Sequence, residues 1–253
     1  MVLVLFISLS QLPGKAAEGQ LSAKVVDVID GDTITISIND KLERLRYLGI
    51  DTPELHHPQR GVEELGVAAF LFNKGLVLNR VVSLELDVLE RDKYGRLLAY
   101  VWLKDGNNAR MVNEELVRSG FALPLTIPPN LKYTELISRA FAHARAEKRG
   151  LWKLAERRVY SAAQAWEELP YIRGHFITLS ITVTKTLHQE NRKVLLSRKG
   201  KCSLIIYNSD WDEFRKFYPF EEKEIKVIGK IQSGFHGCEM ILTDPAQICE
   251  IGS

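Results

Sequence analysis

Residues 23–54 read AKVVDVIDGDTITISINDKLERLRYLGIDTPE, and the period of this run decides the fold. Polarity switches at every residue: Ile34, Ile36 and Ile38 fall on one face and Thr33, Thr35 and Ser37 on the other, the pattern of a half-buried strand. Asp30-Gly31 breaks the strand before it, and Asn39-Asp40-Lys41 makes a tight turn into a third strand expected over 42–50. That third strand carries Arg44 and Arg46 at its front and Asp51, Pro53 and Glu54 at its end. A strand that only filled a core would have no use for them. Strict alternation would set Arg46 and Asp51 on opposite faces, so their convergence needs a local bend, which costs least at Gly49.

Outward from this run, helical spacing takes over after Gly66 in VAAFLFNKGLVLN. VVSLELDV and RLLAYVWLK follow as strands, with RDKYG as their turn. A helix in MVNEELVRSG closes on Gly120, and after a proline-rich loop a helix in YTELISRAFAHARAEKRG closes on Gly150. Five short strands with a helix between the third and fourth is the order of an OB-type barrel. A charged, helical linker is expected over 154–172. HFITLSITVTKTL, KVLLS, CSLIIY, KEIKVIGKIQ and CEMILTDPAQICEI then repeat the strand order, with the amphipathic WDEFRKFY before the fourth. The expected class is α+β, mainly β: a barrel with three helices over 21–153 and a second, smaller OB-like β-barrel over 173–253, a candidate nucleic-acid-binding domain.

A hydrophobic fraction of 45% and a charged fraction of 26% suit a globular protein and exclude disordered and collagen-like classes. The formal net charge of +2 means that a polyanionic partner must be met by locally concentrated charge. The three cysteines, Cys202, Cys238 and Cys249, have no metal-finger spacing. They allow a Cys238–Cys249 disulfide in an exported protein, or reduced, buried thiols. Residues 1–20 run apolar and then turn small and polar near Ala16 and Ala17, as in a signal peptide, so export to periplasm or medium is expected. An uncleaved anchor or an ordinary N-terminal strand is the alternative. The run is short for a bilayer span.

Asp30, Asp32, Arg46, Asp51, Glu54 and Arg96 all fall at expected strand ends, which in a barrel share one rim. Two carboxylates with a backbone carbonyl or water form a hard, all-oxygen site suited to Ca²⁺. A third carboxylate can orient or deprotonate water, and two guanidiniums can clamp a phosphate and offset the charge of its transition state. The set fits phosphodiester hydrolysis. Each member alone has a plain structural reading: Asp-Gly-Asp as a turn, Pro53 as a strand stop, Arg96 as an exposed ion-pairing charge. Together they would be several coincidences.

VIDGDTITI (28–36), RLRYLGIDTPELHHPQRGVEELG (44–66), RDKYGRLLAYVWL (91–103) and MVNEELVRSGFA (111–122) resemble, in order and near-spacing, the staphylococcal nuclease (thermonuclease) family. The resemblance covers about residues 21 to 153. It implies an OB barrel with three helices that cleaves DNA and RNA with Ca²⁺, leaving a 5′-hydroxyl and a 3′-phosphate. By that resemblance Asp32 and Asp51 bind Ca²⁺ through carboxylates and Thr52 through its backbone carbonyl. Glu54 is the general base or positions the attacking water, and Arg46 and Arg96 grip the scissile phosphate. Lys93 and Tyr94 contact a terminal phosphate, and Asp30 lies beside the metal site.

The family places tyrosines after the position matching Ala122 to pack on the base, whereas this chain reads LPLTIPPNLKY, with no aromatic until Tyr133. Base–aromatic stacking contributes ~1 to 3 kcal/mol, so weaker or differently selective nucleotide binding is expected. His56 and His57, in the matching mobile loop, read as loop residues rather than metal ligands. In the second barrel, SRKGKCSLIIY and GKIQSGFHG interleave basic residues with aromatics such as Phe235, as a single-strand groove would. The alternative is a barrel that only steadies the first. The expected function is an exported, Ca²⁺-dependent, sugar-nonspecific nuclease acting on DNA or RNA, single strands preferred. A non-catalytic nucleic-acid-binding or interaction module is the alternative, and it has no reason to keep Asp32, Arg46, Asp51, Glu54 and Arg96 together. A third reading, a cytoplasmic Ca²⁺-binding OB protein, would need the N-terminal apolar run inside the fold.

Overall fold

The described residues open on an antiparallel meander of three strands: β1 (Leu21–Val28), β2 (Thr33–Ile38) and β3 (Lys41–Tyr47). The structure, a computed structural model, describes residues 21–55, 62–197, 201–235 and 237–252. The expectations for the leader 1–20 and for His56 and His57 lie outside the described residues. Asn39 and Asp40 take the β2–β3 turn at φ 48° and 60°, conformations that short polar residues tolerate. The third strand differs from expectation: it stops at Tyr47, turns through Leu48-Gly49, and resumes as the two-residue β4 (Ile50–Asp51).

α1 (Gly66–Val77), β5 (Val81–Glu85), β6 (Leu97–Asp105), β7 (Asn108–Met111), α2 (Val112–Arg118), β8 (Leu123–Pro124), α3 (Thr134–Ala146) and the short α4 (Leu151–Glu156) follow. The strands pair in the order β3-β2-β1-β5-β6, and a parallel β3–β6 ladder closes the ring. Alternation is what permits closure: Ile34, Ile36, Leu45, Val25 and Leu84 all point inward and are fully buried. On α3, Ile137, Ala140, Phe141 and Ala144 recur at helical spacing and form its buried face.

The second unit contains β9 (Val159–Ser161), α5 (Ala162–Glu167), α6 (Leu169–Ile172), β10 (Phe176–His188), β11 (Arg192–Ser197), β12 (Cys202–Tyr207), α7 (Trp211–Phe214), β13 (Glu224–Gly234), β14 (Gly237–Leu242) and β15 (Ile248–Ile251). Strands β10, β11, β12, β14 and β13 close a second ring, again through one parallel ladder, β12–β14. The stretch expected as a helical linker is helical only in part, because Val159, Tyr160 and Ser161 add a parallel edge to β10. The cysteine pairing also differs. Cys202 faces Cys238 across the β12–β14 ladder and the two form a disulfide, while Cys249 is an exposed thiol.

The two rings are packed together. Phe176 and Ile228 of the second unit join the core of the first, where Phe176 lies edge-on to Trp152. Arg145 of α3 donates to the carbonyls of Ala246 and Ile248, at 2.5 and 2.8 Å, and the Ser138 hydroxyl to Asp244 at 2.5 Å. Among the described residues no helix is long and apolar enough to cross a membrane.

Candidate active site

The turn before β2 is fastened by its own side chains. Asp30 Oδ1 accepts from the Asp32 amide at 3.0 Å, a local bond typical of Asp in turns. Asp32 Oδ2 accepts from the Thr52 amide at 2.7 Å, which draws the end of β4 against the turn. A Cβ on Gly31 would stand 2.7 Å from Thr52 Oγ1, so only glycine admits this approach.

Arg46 lies opposite Thr33 in the β2–β3 ladder, next to this turn. Its Nη1 is 2.7 Å from Asp32 Oδ2 and its Nη2 is 3.0 Å from Asp51 Oδ1. The convergence depends on the bend, with Gly49 at φ 77°. Buried Asn113 holds that bend: its Nδ2 donates to the Leu48 carbonyl at 2.8 Å and its Oδ1 accepts from the Val101 amide at 2.9 Å. Buried Asn73 braces the other side, accepting from the Tyr47 hydroxyl at 2.9 Å and donating to the Asp30 carbonyl at 3.3 Å.

Negative charge is in excess here. Asp32 is 4% exposed, and burial pushes its carboxyl up to about 6; Arg46 opposes that shift and Asp30 adds to it. Asp51 keeps 38% of its side chain open, yet its carboxyl too is raised, first by desolvation, with Arg46 opposing and Asp32 reinforcing. The Glu54 carboxyl is raised by desolvation and then by Asp32 and Asp51. Like charges that raise one another, with one guanidinium bridging two of them, leave a deficit that a divalent cation would fill. The donors are all oxygens, as a hard cation requires. Among the described residues no three His, Cys, Asp or Glu side chains converge tightly enough to hold a metal by themselves. Asp32 and Asp51, both paired with Arg46, are the carboxylates here that a cation could draw on.

Arg46 also lines a cleft of about 440 Å³, and Lys93, Tyr94 and Arg96 line the same cleft. Asp92 aims Arg96: its Oδ1 accepts from the Arg96 amide at 3.0 Å and its Oδ2 from Nε at 2.7 Å. The Arg96 guanidinium and the Lys93 ammonium lie 5.6 and 5.1 Å from the Tyr94 ring centroid. Leu125 and Ile127 supply apolar lining, and Asn130 clips their loop to Leu89 with bonds of 2.7 and 2.8 Å. Tyr133 takes no part, because its hydroxyl bonds both Glu85 oxygens and its ring meets Tyr100 and Trp102. Tyr94, 73% exposed, is the aromatic ring open to a ligand in this cleft.

The nine residues singled out for this site in the sequence, Asp30 among them, thus lie at this rim. Asp32, Arg46, Asp51 and Thr52 are in direct contact, Lys93, Tyr94 and Arg96 share the cleft with Arg46, and the Glu54 carboxyl interacts electrostatically with the two aspartates. Sequence reading missed Asn73, Asn113, Asp92, Glu63 and Lys230. A signal existed for the two asparagines, which interrupt otherwise apolar faces. Glu63 Oε2 accepts from the Glu54 amide at 3.1 Å and from Lys230 Nζ of β13 at 2.8 Å.

Residues 44–154 match the family model described as staphylococcal nuclease homologue. A thermonuclease of Staphylococcus hyicus is 40% identical over 139 residues, covering 55% of this chain and 80% of that protein. A thermonuclease of Staphylococcus intermedius is 44% identical over 126 residues, covering 50% and 73%. Endonuclease YncB of Bacillus subtilis strain 168 is 40% identical over 126 residues, covering 49% and 58%. The family match ends at residue 154, before β9 begins.

Proposed function

This chain belongs to the staphylococcal nuclease family, and from that premise we propose that it is a Ca²⁺-dependent, sugar-nonspecific nuclease cleaving DNA and RNA, single strands in preference. The observation that carries the reading is the position of Arg46, which bridges Asp32 and Asp51 and also faces the cleft shared with Lys93, Tyr94 and Arg96.

Arg46 and Arg96 grip the scissile phosphate. Asp92 holds the Arg96 guanidinium at Nε, so it need not reorganise as charge builds on the phosphoryl oxygens, and Arg46, paired with Asp32 and Asp51, lines the same cleft. Glu54, whose carboxyl stands near Asp32 and Asp51, accepts a proton from the attacking water. Lys93 and Tyr94 receive a terminal phosphate, with the Tyr94 ring as a stacking platform. Asp32, Asp51 and the Thr52 carbonyl would hold Ca²⁺, which when bound polarises a phosphoryl oxygen and balances the local carboxylates. The named contacts address phosphate, which DNA and RNA share, and this supports indifference to the sugar. Export is part of the proposal, on the apolar leader at 1–20 and on the Cys202–Cys238 disulfide, which suits an oxidising compartment.

The test is cleavage of labelled single-stranded DNA and RNA by the full chain with Ca²⁺, with Mg²⁺ and with chelator, beside Glu54→Gln and Arg96→Lys. Cleavage that requires Ca²⁺ and collapses in both variants is the expected result, since an ammonium cannot reproduce the planar, two-pronged phosphate contact. Intact substrate in every lane, from folded protein, would overturn the reading.

A further inference from the structure

We propose that the second ring completes the hydrolytic site, with Lys230 of β13 acting as a positioning residue for Glu54 through Glu63. The proposal rests on the nuclease reading given above. Two hydrogen bonds tie Glu54 to Glu63. The Glu63 amide donates to the Glu54 carbonyl at 2.8 Å, and the Glu54 amide donates to Glu63 Oε2 at 3.1 Å. Lys230 Nζ reaches that same Oε2 at 2.8 Å. The Glu63 side chain is 2% exposed and that of Lys230 24%. Lys230 thus meets this enclosed carboxylate at the very oxygen that accepts from the Glu54 amide.

A second grip lies beside the first. Phe176 is the cross-strand partner of Lys230 in the β10–β13 ladder, and its amide donates to Glu64 Oε2 at 3.4 Å. Arg158, which leads into β9, holds both Glu64 oxygens, at 2.7 and 2.6 Å. Two successive glutamates, Glu63 and Glu64, are therefore held from beyond residue 154, where the family match ends. Lys230 and Asp51 also line one cleft of about 630 Å³ between the rings, so the brace reaches the edge of the carboxylate cluster.

The experiment compares the full-length wild type with Lys230→Met, which keeps the stem and removes the charge, and with Lys230→Arg. Hydrolysis of a single-stranded oligonucleotide is followed under Ca²⁺, and hydrogen–deuterium exchange is measured over residues 52–66 without substrate. The expected result for Lys230→Met is a kcat lower by roughly 10- to 100-fold, as for a misplaced catalytic group, with KM little changed. Exchange over 52–66 should quicken, and Lys230→Arg should restore both readouts. Unchanged kcat, a loss confined to KM, or unaltered exchange would overturn the proposal. Wild-type protein that cleaves nothing would count against the nuclease reading, while the exchange comparison would still decide whether Lys230 braces Glu63 and Glu54. If Lys230→Met does not fold, Lys230→Gln is measured in its place against the same expectations.

Discussion

Arg46 and Asp51 lie five residues apart, on either side of a glycine in the left-handed region, and their side chains meet at 3.0 Å. The bend between them makes a site out of what would otherwise be two faces of a strand. It is held by Asn113 on the Leu48 carbonyl and by the Leu125 amide on the Gly49 carbonyl.

Gly49→Ala tests that bend directly. An added Cβ would stand 2.5 Å from Ile137 Cδ1, at a φ of 77°. Left-handed backbone costs an L-residue about 1–2 kcal/mol before any clash is counted, so a loss of at least that size is expected in urea unfolding. Activity should fall further than stability, because Arg46 and Asp51 part as the turn relaxes. Full activity in a destabilised variant would show that the bend serves folding alone.

Calcium should act as a stabiliser as well as an activator. A ligand bound only by the folded state adds about 2.7 kcal/mol at 100 times its dissociation constant, so Ca²⁺ should raise Tm and chelator should reverse the rise. Asp51→Asn should lose most of the shift and Arg96→Lys should keep it, since Arg96 is engaged by Asp92. A shift that survives Asp51→Asn would place the cation elsewhere.

Asp210, buried ahead of α7, supplies a pH dependence separate from catalysis. Burial pushes its carboxyl up to about 6, with the Ser209 hydrogen bond opposing and Asp244 adding. The folded pKa lies above the unfolded value, so folding favours the protonated form. Stability on this account falls as pH rises from about 4 to about 6 and stays reduced above that. Asp210→Asn should remove the decline, worth on the order of 1–3 kcal/mol at pH 7.5. Urea unfolding at pH 4.5 and 7.5 in chelator would measure it, and an equal decline in both proteins would exonerate Asp210.

How much was legible in the sequence depended on the range of each interaction. The alternation of residues 33–38, the Asn39-Asp40 turn and the helical face of α3 are local patterns, and each can be read without knowing what it packs against. The charges on residues 44–54 were visible for the same reason, and Gly49 marked where the chain had to bend. Lys230 and Glu63 are 167 residues apart and are ordinary surface residue types, so nothing local marks their meeting. The Cys202–Cys238 pairing follows from the parallel β12–β14 ladder, a product of ring closure that cysteine spacing does not encode. β9 was missed because a three-residue edge strand exists only through the neighbour it joins. Tyr133 stood near the stretch where a stacking ring was sought, but Glu85 engages its hydroxyl.

The position of Lys230 late in the chain also has a meaning in time. Domains fold in the order in which they leave the ribosome. A nascent chain that has emerged only as far as α4 already holds every strand of the first ring, together with Asp32, Arg46, Asp51, Glu54 and Arg96. It has no β13 to offer Glu63 and no Phe176 amide to offer Glu64. Assembly of this residue cluster and its bracing by the second ring are thereby separated during synthesis, and a truncated product of translation would carry the former without the latter.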